Sequence, residues 1–332
     1  MKKELSISFR AETDRNILQQ TAEAAGKYGF DVISVYDDLG DPSPMYPLMT
    51  FARESKTPRV GPACIAVPKY TTMDPVVRDI SNLNSASDGR AYLGLVAGAW
   101  MEKIGLKPAS VLQLREAVEV SRYLLEKRDD GFEGRYYNVQ PGFAVSYPTP
   151  QVKIPILIGA WGEKMAALAG EIADEIKVGG SANPLMVDII RQRVNVGVVK
   201  AGRKPEDVGI VLGAVTVVDE DRKKAVYFAK RKAVVYIDVV GEKDPTAMAD
   251  FPEEIADIKI AMVRGDIEEA VKHLSDELTR RFLFAGNPSD IIKQAEKIFE
   301  KGASRVEFGA PHGLDQVEGI DLIGQKILPY FK

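Results

Sequence analysis

Two glycine turns are the residues whose types and spacing speak most directly of chemistry. In Ile156-Leu157-Ile158-Gly159-Ala160-Trp161-Gly162-Glu163-Lys164 an apolar run feeds a small-residue turn and then a helix start. Backbone N–H groups at such a start bind a phosphate through orphan donors and the helix dipole. Gly179-Gly180-Ser181 repeats the arrangement one unit later. Tight strand-to-helix turns with no ligand explain the same glycines. Asp37 and Asp38 form an adjacent pair at a strand end. Neighbouring strand residues point to opposite faces, so one carboxylate would face a site and the other would not. Repulsion between them would raise one pKa toward acid–base use; a solvated rim pair is the other reading. Glu102 is a third candidate carboxylate, and Arg10, Trp100 and His312 are candidates for touching a substrate. Cys64 reads as a small buried hydrophobe.

Composition narrows the chemistry. The chain has 332 residues, 44 Lys plus Arg against 48 Asp plus Glu, and a net charge of −4. It carries no basic surplus of the kind that displaces counterions from nucleic acid. A single cysteine excludes a disulfide within the chain and multi-cysteine zinc sites, and two histidines (His273 and His312) leave no HExxH protease. No metal is expected. The N-terminal apolar run is short and interrupted by Arg10, and no stretch approaches ~18 uncharged apolar residues, so a cytoplasmic protein without membrane contact is expected.

The elements that must position these residues alternate regularly. β-branched runs predict strands over 5–9, 32–36, 59–67, 91–96, 154–159, 175–178, 208–218 and 305–308. Helical periodicity fills the gaps, with Asp14 and Asn183 as caps. The stretch 132–137 reads as a surface hairpin. From 219 to 285 the chain is charged and helical without a strand, an insertion between strands seven and eight. Eight strand–helix units predict a single-domain α/β protein spanning 1–332, a (β/α)8 TIM barrel rather than an open sheet. Neither GxGxxG nor GxxxxGK[ST] occurs, so the usual nucleotide loops of doubly wound sheets are missing. In a barrel all the candidates above sit where strands end and loops begin.

The order of five segments resembles the bacterial-luciferase-like flavin and deazaflavin enzymes. These are Ala24-Ala25-Gly26-Lys27-Tyr28-Gly29-Phe30-Asp31, Ser87-Asp88-Gly89-Arg90-Ala91-Tyr92-Leu93-Gly94-Leu95, 156–162, Leu168-Ala169-Gly170-Glu171-Ile172-Ala173-Asp174 and Gly309-Ala310-Pro311-His312-Gly313-Leu314-Asp315. The nearest subgroup is the coenzyme F420-dependent reductases related to methylenetetrahydromethanopterin reductase. The resemblance implies a barrel holding a flavin-shaped ring at its C-terminal mouth, against Cys64, Ile65, Ala97 and Gly98. The cofactor phosphate would lie on Gly159, Ala160, Trp161, Gly162 and Glu163, with Gly179, Gly180 and Ser181 beside it. It also implies a cis peptide between Cys64 and Ile65, and matches Asp37 to an aspartate that family members carry. F420-dependent hydride transfer to an organic substrate, pterin-like or otherwise, is the expected activity, in a homo-oligomer. The alternatives are an FMN-dependent monooxygenase and a flavin-binding barrel without turnover. Two positions depart from the reductases: Ser8 stands where they carry a carboxylate in strand one, and Ala99 where they carry an acid after strand four. These departures point to the same cofactor with another substrate.

Overall fold

The computed structural model describes residues 3–12, 14–150 and 152–332. Eight parallel strands form its centre: β1 (Glu4–Phe9), β2 (Val32–Val35), β3 (Arg59–Pro62), β4 (Leu93–Val96), β5 (Ile156–Gly159), β6 (Glu175–Gly179), β7 (Gly209–Val218) and β8 (Arg305–Gly313). Each pairs with its neighbours in chain order, and β8 returns to β1, Leu5 lying opposite Val306. Between β3 and β4 the ring closes on two hydrogen bonds, Val60 N–H to Arg90 O (3.0 Å) and Tyr92 N–H to Val60 O (3.0 Å). The result is the expected TIM barrel. Strands buried on both faces explain the near-continuous apolar runs, for example Gly209–Val218, whose side chains are almost all buried.

Helices follow the strands and pack their apolar stripes against them. Asp14 accepts hydrogen bonds from Asn16 N (2.8 Å) and Ile17 N (3.1 Å) at the start of helix Arg15–Lys27. Phe132–Glu133 and Asn138–Val139 pair antiparallel as the expected hairpin. Five helices lie between Arg222 and Phe282 and enclose a second apolar cluster around Val234, Ile237, Ile258 and Phe282, which Trp161 joins from the barrel side.

The structure corrects the expected elements in three places. The insertion was expected to hold no strand to 285, yet Phe284–Gly286 pairs with β7 at 216–218. β7 outruns β6, whose pairing stops at Gly179 opposite Gly213, and the short strand covers the edge left over. β8 runs to Gly313 rather than 308 because the same extension of β7 carries its pairing onward, Val217 opposite His312. Strand three is not continuous over 59–67. Pro62 still pairs with β2 while Ile65 already pairs with Leu95 of β4, so the break falls on 63–64. The cis peptide lies in this break, between Ala63 and Cys64, one bond before the expected position.

The barrel interior holds a charged and polar network beside a small apolar cluster of Val32, Tyr92, Leu157 and Val211. Glu175 accepts from Arg305 (2.7 Å) and Arg59 (3.2 Å), and Arg59 also reaches Glu4 (2.6 Å). Nearer the mouth, Glu307 is ion-paired with Lys177 and accepts from Ser34 Oγ (2.9 Å), which accepts in turn from Tyr92 OH (2.8 Å). Both members of the Lys177–Glu307 pair are buried. Gly213 makes room for them: a Cβ there would lie 3.0 Å from Lys177 Cε and 3.1 Å from Glu307 Oε1. Burial pushes the Glu307 carboxyl up, but Lys177 and Arg305 outweigh it and hold it below its ordinary 4.5. A depressed carboxyl contributes fully above its unfolded pKa and loses that contribution as pH falls through the folded one. Glu307→Ala strands a buried ammonium and should destabilise the protein by about 3–5 kcal/mol. The double change Glu307→Leu with Lys177→Met should recover most of that loss, as read from urea midpoints.

Candidate active site

A cavity of about 1640 Å3 opens at the C-terminal end of the barrel. Its lining takes in Arg10, Asp37, Asp38, Cys64, Ala97, Gly98, Trp100, Gly159, Ala160, Trp161, Gly162, Glu163, Gly179 and Gly180 from the sequence candidates. Four candidates lie elsewhere. Ile65 is in the core and Ser181 is fully buried, its hydroxyl accepting from Asn183 N (3.3 Å). Glu102 is exposed on the short turn Met101–Ile104, away from the cavity lining. His312 is fully buried, so it cannot touch a substrate in this conformation. Its Nε2 donates to Ser8 O (3.1 Å), its ring packs edge-on to Phe9, and burial holds its pKa down at about 3.

The two aspartates separate into different roles. Asp37 pairs with Lys69 (2.6 Å) and accepts from Ala66 N (3.4 Å), which ties the β2 loop to the segment after β3. Burial pushes its carboxyl up, and Lys69 works against that shift. Asp38 has no hydrogen-bond or ion-pair partner among the described residues. Burial pushes its pKa up, and Asp41 adds to the shift. A partner-free, partly desolvated carboxyl on a cavity wall can exchange a proton with a bound molecule. Arg10 is held by Asp41 through two bonds (2.6 and 3.0 Å). Trp100 stays partly exposed with a left-handed backbone (φ 54°). Cys64 keeps its proton, because burial pushes its thiol up to about 12.

The two glycine turns also divide. Gly180 N donates to Gly213 O (2.7 Å) and Ser181 N to the same oxygen (3.2 Å), so those groups are spent within the barrel. At the first turn Ala160 N is used by Lys177 O (3.0 Å). The N–H groups of Trp161, Gly162, Glu163 and Lys164, at the start of helix Glu163–Ile172, have no acceptor among the described residues. Trp161 Nε1 donates to Gly179 O (3.0 Å) and Arg193 donates to Trp161 O (2.5 Å), which fixes the turn. A Cβ built at Gly162 or Gly179 would meet nothing within 4 Å. The unused donors are therefore those of 161–164, with open space in front of them.

A model of the luciferase-like monooxygenases matches residues 8–305. The chain belongs to this family. Among its relatives, the 5,10-methylenetetrahydromethanopterin reductase of Archaeoglobus fulgidus is 29% identical over 98% of this chain and 99% of the relative. The F420-dependent glucose-6-phosphate dehydrogenase of Nakamurella multipartita is 26% identical over 94% and 91%. The solved structure of the coenzyme F420-dependent tetrahydromethanopterin reductase from Methanopyrus kandleri shares the fold over 100% of both chains, with a TM-score of 0.87 at 24% identity. In this luciferase-like barrel, sequence reasoning passed over Lys177 and Glu307, which the cavity reaches at its floor. The signal was present: charges alternate with apolar residues inside a strand, in Glu175-Ile176-Lys177-Val178 and Arg305-Val306-Glu307-Phe308. It also passed over Tyr36, whose hydroxyl lies 2.6 Å from Ser8 Oγ, and Tyr236, packed over Gly180 with its hydroxyl pushed up to about 12 by burial. Among the described residues no helix is long and apolar enough to cross a membrane, and no group of three potential ligands could hold a metal.

Proposed function

We propose that this luciferase-like protein is a hydride-transfer oxidoreductase that uses coenzyme F420 and acts on a small organic molecule, as a cytoplasmic homo-oligomer. The observation that carries the cofactor reading is the first glycine turn, where donors at 161–164 face open space at Gly162 and Gly179. Such a cradle suits a phosphate, and relatives covering nearly the whole chain carry F420 in their names.

When bound, the deazaflavin supplies a two-electron hydride donor or acceptor. The chain's own residues do the rest. The 161–164 donors would hold the phosphate, and the Trp161 and Arg193 bonds keep the turn in place. Cys64, Ala97, Gly98 and Gly159 would give the ring a neutral floor, since the thiol remains protonated. The buried Lys177–Glu307 pair, also in the cavity lining, brings charge without net charge. Asp38 would donate a proton to the substrate's reacting group when that group takes up hydride, and would accept it back in the opposite direction. Asp37 positions the loop that carries Asp38 through its bond to Lys69.

Titration of the purified protein with F420 and with FMN tests this reading. Binding of F420 at least about tenfold tighter, a difference of ~1.4 kcal/mol, is the expected result. Preference for FMN would transfer the chain to the monooxygenase reading.

A further inference from the structure

Two chains of hydroxyls run through the barrel interior, and they end differently. In the first, Tyr92 OH donates to Ser34 Oγ (2.8 Å), and Ser34 Oγ donates to Glu307 (2.9 Å). Both protons are spent, and the chain ends on a carboxylate. The second joins Ser8 and Tyr36, whose hydroxyl oxygens lie 2.6 Å apart. A pair of hydroxyls carries two protons and uses one between its members. No acceptor among the described residues takes the other.

Burial decides where that spare proton points. Ser8 is fully buried and absent from the cavity lining, whereas Tyr36 lines the cavity. Were Tyr36 to donate to Ser8, the serine proton would be left buried without an acceptor, which is costly. Ser8 therefore donates to Tyr36, and the Tyr36 proton is turned to the cavity. Gly309 on β8 makes room for this hydroxyl, since a Cβ there would collide with Tyr36 Oη. Lys177 is ion-paired with Glu307, and its Nζ stands 5.4 Å from the centroid of the Tyr36 ring. Burial and the Glu307 charge push the phenol well above its ordinary 10, so it keeps its proton across the neutral range. Tyr36 is thus a fixed neutral donor, in contrast to Asp38.

A donor facing a space that empties of water on binding needs an acceptor on the ligand. In ring order β1 lies opposite β5 and β2 opposite β6. A cofactor whose phosphate rests on the 161–164 donors, after β5, extends its ring away from that rim and toward the β1–β2 wall. Flavin-type rings carry carbonyl oxygens on their edge, and these are acceptors. We infer that Tyr36 is a cofactor-binding residue, whose hydroxyl, held by Ser8 in the space left by Gly309, donates a hydrogen bond to a carbonyl oxygen of the deazaflavin ring. This rests on the cofactor reading above. Tyr36 then fixes the ring without exchanging a proton, and Asp38 is left to do that at the substrate.

The test is absorbance titration of wild type, Tyr36→Phe and the double variant Ser8→Ala with Tyr36→Phe, using F420 and, separately, FMN. Tyr36→Phe should weaken F420 about five- to tenfold and return the absorption maximum of the bound ring toward that of the free cofactor. It also strands the Ser8 hydroxyl, so its melting temperature should fall. The double variant removes both partners and should recover the melting temperature without recovering affinity. Affinity that returns together with the melting temperature would show that the pair only shapes the barrel, and would overturn the inference. Unaltered affinity and absorption in Tyr36→Phe would do the same while leaving the cofactor reading standing. If the protein binds FMN and not F420, the cofactor reading falls, and the same comparison with FMN, whose ring carries the same carbonyls, decides the role of Tyr36. Binding of neither fells both.

Discussion

Asp38→Asn should lower turnover about 10²- to 10⁴-fold, the range for loss of a positioned acid or base, with F420 affinity unchanged. Asp38 lines the cavity without a partner and has a raised pKa, with burial the largest cause and Asp41 the next. Desolvation disfavours the charged form, so the proton is held to higher pH than on an ordinary aspartate. If Asp38 delivers that proton, turnover falls as pH rises through its raised pKa, and Asp38→Asn removes this limb from the rate profile. Asp37→Asn is the control. It loosens the bond to Lys69 (2.6 Å) but leaves a neutral side chain that still accepts from Ala66 N. Its effect should appear mainly in thermal stability, with the pH limb intact. Asp38→Asn with wild-type turnover would leave the barrel without a proton carrier on its cavity wall.

Gly162→Val should weaken F420 binding about 10- to 100-fold, the worth of one to two charge-assisted hydrogen bonds, and lower the melting temperature only slightly. The two readouts separate because of where the glycine stands. Its backbone is extended (φ −77°, ψ 154°), a conformation valine accepts, and a Cβ there meets no protein atom within 4 Å. The fold notices the substitution only at the helix N-cap, where valine is a poorer residue than glycine. An anion resting on the 161–164 donors does, since the added methyls occupy its space. Gly213→Val is the opposite case, because its side chain would run into Lys177 and Glu307. It should cost stability first and binding only as a consequence. Unaltered F420 affinity in Gly162→Val would move the phosphate elsewhere in the cavity.

Local pattern alone settled the strand–helix alternation, and with it the barrel. Period and caps are properties of a few adjacent residues: Asp14 ahead of Ile17, Leu18 and Ala22 specifies a helix start wherever the chain goes. The candidates at strand ends followed from the rule that barrel loops carry the chemistry, and most of them do line one cavity. The glycine turn at 159–163 was legible for the same reason. Which candidates have free atoms was not. Gly179-Gly180-Ser181 reads like its neighbour, yet two of its N–H groups go to Gly213 O, a partner more than thirty residues away on β7. His312 stands in a loop-like Gly-Ala-Pro-His-Gly segment, yet the extended β7 draws that segment into the sheet and buries the ring against Phe9. Asp37 and Asp38 are the same residue type side by side, and only Lys69, 32 positions on, makes one a tether and leaves the other free. Hydrogen-bond satisfaction, burial and ion pairing depend on contacts between distant segments, and so tertiary structure decided them. The Lys177–Glu307 pair lies between the two cases. Each charge, alternating with apolar residues in its strand, was visible in the sequence, but a buried charge persists only with its partner, and the pairing of β6 and β8 on either side of β7, across Gly213, supplies one.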